Sequence, residues 1–118
     1  MRPGELVLDD RPRDGSHTLA LTGELDLATA PDLEAVILSL CSDGACEIVL
    51  DLSQVSFLDS SGLRAILSSK TVCEEHSCQL VLTRPREPVE RLFELTGLLD
   101  KLSFRRLPAA TTDGGAGG

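Results

Sequence analysis

The apolar run Ile48-Val49-Leu50, flanked by Glu47 and Asp51 and followed by Leu52, most constrains what this chain can become. Successive strand residues point to opposite faces, so an almost unbroken apolar centre calls for cover on both sides of a sheet. A strand with one wet face would alternate with polar residues instead. Residues 47–52 are therefore expected to form an interior strand of an α/β fold.

The flanking segments supply that cover. Residues 5–8 and 18–22 read as short strands, with Leu19 and Leu21 alternating with smaller or polar positions. The turn-rich connection 10–15 makes a hairpin of them. Thr29-Ala30-Pro31-Asp32 is a helix start, with Thr29 as the expected cap. Leu33, Val36, Ile37, Leu40 and Cys41 then form one apolar helical stripe that ends at residues 42–44. Residues 53–58 carry the interior strand onward to Asp59-Ser60-Ser61-Gly62-Leu63. There a second helix begins, with Leu63, Ile66, Leu67 and Cys73 on its apolar face and Lys70 interrupting it. Residues 79–83 form another strand. Val89, Leu92 and Phe93 mark a shorter helix stopped at Gly97, and residues 103–105 form a last edge strand. The order is β-β-α-β-α-β-α-β: one α/β domain in which a mixed β-sheet packs against α-helices. The glycine-rich stretch 109–118 is expected to be a disordered C-terminal tail.

Composition removes several functions. The chain of 118 residues suits one core. Nineteen acidic against eleven basic residues give a net charge of −8, which argues against direct nucleic-acid binding. Trp and Tyr are absent and only three Phe occur, so there is no aromatic supply for stacking bases or sugars. No apolar run approaches the roughly 18 residues of a membrane span, and the N-terminus lacks a hydrophobic signal segment. No membrane insertion and a cytoplasmic location are expected. Cys41, Cys46, Cys73 and Cys78 form two C-x4-C spacings, with His76 inside the second. These spacings are weak zinc signals, so the cysteines are expected to be small buried thiols, with no metal site.

The segment 59–63 carries the chemistry. A helix start has unpaired backbone N–H groups and a partial positive charge, so it favours oxygen ligands and negative charge. A serine exposed there is a good place to install or remove a phosphate. Catalysis is the weaker expectation. The segment is not a G-x-S-x-G elbow, and no G-x-x-x-x-G-K-[ST] loop is present. His17 and His76 are expected at the surface, and Asp9-Asp10 and Glu74-Glu75 read as solvated charges rather than a dyad. No catalytic residue and no cofactor are assigned.

Four segments in fixed order carry a family resemblance. They are Gly23-Glu24-Leu25-Asp26, the apolar strand before Asp51-Leu52-Ser53, Phe57 through Leu63, and residues 89–98 with the sequence VERLFELTGL. Together they resemble a STAS domain, specifically that of bacterial anti-sigma factor antagonists, over residues 5–106. The resemblance implies partner switching. An unphosphorylated antagonist binds an anti-sigma factor that is also a serine kinase, and a sigma factor is released. The kinase phosphorylates the first serine of the motif, here Ser60, and a PP2C-type phosphatase resets the switch. The implied partner-binding residues are Glu24, Asp26, Asp59, Ser60, Ser61 and Gly62. Asp26 has a local turn or cap as its competing role. Gly62 is expected to permit close approach of backbone and partner. A cytoplasmic STAS subunit of a lipid-transport or other transporter complex is the alternative implied by the same resemblance.

Overall fold

The computed structural model describes residues 5–83, 85–97 and 101–105. The end of the expected domain at residue 106 and the expected tail at 109–118 lie outside the described residues. Five strands and three helices follow one another as β1 (Leu6–Arg13), β2 (Ser16–Leu25), α1 (Ala30–Ser42), β3 (Glu47–Leu58), α2 (Ser60–Glu75), β4 (Gln79–Thr83), α3 (Glu87–Thr96) and β5 (Phe104–Arg105). The strands lie in sequence order across one sheet. β1 and β2 are antiparallel; every later pairing is parallel, and a helix supplies each crossover. This is the mixed α/β sheet that the apolar run at 48–50 requires.

The hairpin is longer than the turn chemistry suggested. β1 and β2 stay paired down to Arg13↔Ser16, so only Asp14 and Gly15 turn, both with positive φ (51° and 83°). Two left-handed residues match the twist of a two-residue hairpin, and Gly15 adopts its conformation without a side-chain penalty. Pro12 is tolerated because β1 is an outer strand.

Ile48, Val49 and Leu50 are all buried, as an interior strand demands. Beyond them the chain does something the residue pattern did not announce. Ser16 pairs with Glu47, but nine residues later Leu25 pairs with Leu58, so β3 has gained two residues on β2. The register shifts fall between Ala20 and Thr22 and between Gly23 and Glu24. The buried positions of β3 follow suit: Leu50 and Leu52 are two apart, whereas Val55 and Leu58 each come three further on. Each bulge flips the strand's facing once, and the apolar residues are respaced to match. Thr83 serves the first bulge from β4. Its buried hydroxyl accepts from Leu52 N–H (2.9 Å) and lies 3.3 Å from Asp51 Oδ1. Asp51 Oδ1 also accepts from the Ser53 hydroxyl (2.7 Å), and the Ser56 hydroxyl donates to Gly23 O (3.1 Å) near the second bulge.

The helices fit their stripes. Leu33, Ile37 and Cys41 of α1 and Leu63, Ile66 and Cys73 of α2 are buried in one aliphatic core that also takes Val89 and Phe93 from α3. Phe93 meets Phe104 edge to face, with ring centres 5.6 Å apart, which anchors α3 beside β5. Gly97 ends α3 in the left-handed conformation (φ 75°). Lys70 resolves its place on the α2 stripe by pairing with Glu74 at 2.6 Å. At the far end of the sheet, Arg105 Nη2 donates to Glu47 Oε2 (2.8 Å), and this bond, aided by one from Ser16, holds the Glu47 carboxyl below its usual range.

Candidate functional site

Leu25 and Leu58, paired at the ends of β2 and β3, are both buried, and each is followed by an aspartate. The fold therefore brings Asp26 and Asp59 out from neighbouring strands at the carboxyl edge of the sheet, where β2 and β3 end, although they are far apart in sequence. From there the chain enters α1 after Asp26 and α2 after Asp59, and the two helices pack against each other in the same core.

Asp59 precedes α2 in an extended conformation, and its Oδ1 accepts from Gly62 N–H at 2.9 Å. This bond satisfies one of the helix's unpaired donors. Its own N–H reaches Leu25 O (3.4 Å), and its carbonyl accepts from Leu63 N–H (3.0 Å). Ser60 is the first residue of the helix and is exposed; Ser61 is half-buried.

Gly62 is buried, and its approach is to the chain's own β2. A Cβ there would stand 2.4 Å from Leu25 O and 2.6 Å from Leu58 Cδ1. The first turn of α2 sits directly on the last residue of β2. The close approach seen here is internal: Gly62 seats against β2 the turn that carries Ser60 and Ser61.

Asp26 is half-buried and builds the entry to α1. Its Oδ1 accepts from the N–H groups of Ala28 (3.0 Å) and Thr29 (3.1 Å), and its carbonyl accepts from Ala30 N–H (2.8 Å). The local role weighed for Asp26 is therefore present. Thr29, expected to cap α1, makes no side-chain bond to the helix. Its buried hydroxyl instead donates to Glu24 O (2.8 Å) and accepts from Asp26 N–H (2.9 Å), fastening the loop to the end of β2. Glu24 lies within β2 rather than after it, paired with Phe57. Asp26→Ala is expected to lower stability by about 1 kcal/mol, measured by urea denaturation, by orphaning Ala28 N–H and leaving Thr29 N–H only the longer bond to the Asp26 carbonyl (3.2 Å). Asp26→Asn, which retains the accepting oxygen, should recover most of that loss.

Two large apolar residues at this edge escaped the residue-by-residue reading. Leu27 is 76% exposed at the tip of the loop, and Phe57 is 47% exposed at the end of β3. Leu27 forms one wall of a shallow groove of about 170 Å³ between the starts of α1 and α2, with Glu34, Ser61 and Arg64 among its other lining residues. The signal available in the sequence was position: an apolar residue inside a polar capping loop has no core to enter. The edge thus combines exposed apolar side chains, an exposed hydroxyl at a helix start and two carboxylates.

This sheet order and this junction define a STAS domain. Residues 9–110 match the STAS domain family, and the chain belongs to that family. An anti-sigma-B factor antagonist of Staphylococcus aureus is 32% identical over 95 residues, spanning 80% of this chain and 88% of the relative. A crystal structure of an anti-sigma factor antagonist from Mycobacterium paratuberculosis superposes with a TM-score of 0.79 at 28% identity, covering 90% of each chain. The Bacillus cell fate determinant SpoIIAA in its phosphorylated form shares the fold at a TM-score of 0.65 and 24% identity, over 86% of this chain and 91% of SpoIIAA. Within the family, these relatives place the chain among the anti-sigma factor antagonists. Among the described residues, no helix is long and apolar enough to cross a membrane.

Proposed function

We propose that the edge carrying Asp26, Asp59 and Ser60 docks an anti-sigma factor with serine kinase activity, so that a sigma factor is released while Ser60 is unmodified. Phosphorylation of Ser60 by that kinase ends the association, and a PP2C-type phosphatase restores it. The protein acts by binding in the cytoplasm and catalyses nothing itself. The observation that carries this reading is the exposed Ser60 hydroxyl at the first position of α2, beside the exposed Leu27 and the groove at Ser61.

The chemistry supports that assignment. The apolar side chains supply area that becomes favourable when covered, and the rim of Glu24, Asp26 and Asp59 gives a partner's basic groups their register. Phosphate adds roughly 1.5–2 negative charges and three acceptor oxygens. At a helix start this charge suits the antagonist's own backbone, whereas in a closed interface it meets two aspartates and loses its water. Ser61, turned partly into the groove, is the neighbour rather than the switch. Gly62 contributes by seating the turn on which both serines stand.

Purified chain incubated with candidate anti-sigma kinases and ATP provides the test. Phosphate is expected on Ser60 alone, and Ser60→Ala should abolish labelling while retaining binding. Undiminished labelling of Ser60→Ala would sink the site assignment. Binding to a transporter ATPase with no binding to any anti-sigma kinase would favour the transporter-subunit reading instead.

A further inference from the structure

The two C-x4-C spacings acquire a common geometry in the fold. Each leads from the last turn of a helix to the residue before the next strand: Cys41 to Cys46 from α1 into β3, and Cys73 to Cys78 from α2 into β4. Because β3 and β4 pair from Glu47↔Gln79 onward, the cysteines gather at the opposite end of β3 from Ser60. Cys41 Sγ and Cys73 Sγ are 3.7 Å apart, and the sulfurs of Cys41, Cys73 and Cys78 all lie within 4.8 Å of one another. All three are buried, whereas Cys46 is exposed.

We infer that Cys41, Cys73 and Cys78 form an all-sulfur site for one thiophilic divalent cation of the zinc class. With metal–sulfur bonds of about 2.3 Å, tetrahedral or trigonal angles place neighbouring sulfurs roughly 3.8–4.0 Å apart. The Cys41–Cys73 spacing already meets that demand, and Cys78 has only to close within its present distance. The cluster contains no carboxylate and no imidazole, a donor set that selects soft cations over calcium or magnesium. Three thiolates around a divalent ion leave one net negative charge in the core; around a monovalent ion they would leave two, at greater cost.

Access and a fourth position come from the surface. Cys78 forms part of an open pocket of about 150 Å³, where Lys70, Glu74 and Ser103 also stand. Water entering there completes a tetrahedral shell. In the metal-free chain burial pushes the Cys73 thiol far up and the Cys78 thiol to about 11. Binding therefore exchanges each S–H bond for a sulfur–metal bond and delivers the proton to solvent; no electron moves. The bound ion would tie the last turns of α1 and α2 to the entry of β4.

Titration of the reduced full chain with Cd(II), and separately with Zn(II), tests the site. Cd(II) should raise a sulfur-to-metal charge-transfer band that saturates at one ion per chain, and both ions should raise the unfolding midpoint, since they bind the folded state. Cys46→Ser should leave band and midpoint shift unchanged. Cys73→Ser and Cys78→Ser should lose both at concentrations that saturate the unaltered chain. The inference falls if the unaltered chain shows no band, if the band comes without a midpoint shift, or if it disappears in Cys46→Ser. Should Cys73→Ser fail to fold, the unaltered chain and Cys78→Ser, altered at the pocket wall, still decide the matter.

Discussion

Gly62→Ala is expected to destabilise the domain by about 3 kcal/mol and to lower its unfolding midpoint by roughly 10–15 °C. Helix propensity alone points the other way, because alanine is favoured over glycine by about 1 kcal/mol inside a helix. Space decides the sign. The added methyl would meet Leu25 O at 2.4 Å, and a backbone carbonyl cannot rotate aside as a side chain can. Relief requires α2 to lift away from β2, which weakens the contact between Asp59 N–H and Leu25 O and opens the core at Leu58 and Leu63. The same displacement carries Ser60 and Ser61 with it, so partner affinity should fall even at temperatures where the variant is folded. Thermal melting and a binding titration on one preparation would check both effects. A Gly62→Ala protein as stable as the parent would show that the seat of α2 on β2 is soft and does not set the position of the serines.

A phosphate on Ser60 should weaken binding of the anti-sigma partner about a hundredfold, equivalent to about 3 kcal/mol. Ser60→Asp, with a single charge and a shorter reach, should weaken it about tenfold. Neither change should cost the fold more than about 0.5 kcal/mol, because negative charge at the first helical position is stabilising or neutral. This separation is the point of the experiment: affinity moves and the unfolding midpoint does not. Ser60→Asp binding as tightly as the parent would remove charge at this position as the basis of switching. A fall in midpoint parallel to the fall in affinity would instead mark Ser60 as a structural cap.

Much of the architecture follows from local pattern. The α1 stripe, the stop at Gly97 and the interior character of residues 48–50 each rest on neighbours within a few residues, and each is found where pattern placed it. The DSSGL junction was also legible, since a strand end, a polar cap and a helical stripe meet there. What pattern could not reveal depends on partners distant in sequence. The three-residue spacing from Leu52 to Val55 to Leu58 makes sense only against β2, whose register it must follow. Thr29, whose partner is only five residues away, is the exception: it looks like a helix cap until the loop brings the carbonyl of Glu24 within reach of its hydroxyl. The role of Gly62 depends on Leu25, 37 positions earlier, and the meeting of three cysteines depends on α1 and α2 ending at the same end of the sheet. The exposed Leu27 and Phe57 escaped because apolar residues are assigned inward unless the fold shows that no core lies behind them.

The hairpin at the start of the sheet has a consequence for how the protein behaves in a crowded solution. An outer strand offers unpaired backbone groups that invite another copy to extend the sheet. β1 answers with Asp9, Asp10, Arg11, Pro12 and Arg13 in succession, all exposed, and Pro12 has no N–H to give. A second chain approaching this margin would meet charges of both signs and a gap in the hydrogen-bonding ladder. The outer half of β1 thus works as a guard against fibre-like self-association, leaving the apolar surface at Leu27 and Phe57 for encounters at the other end of the hairpin's second strand.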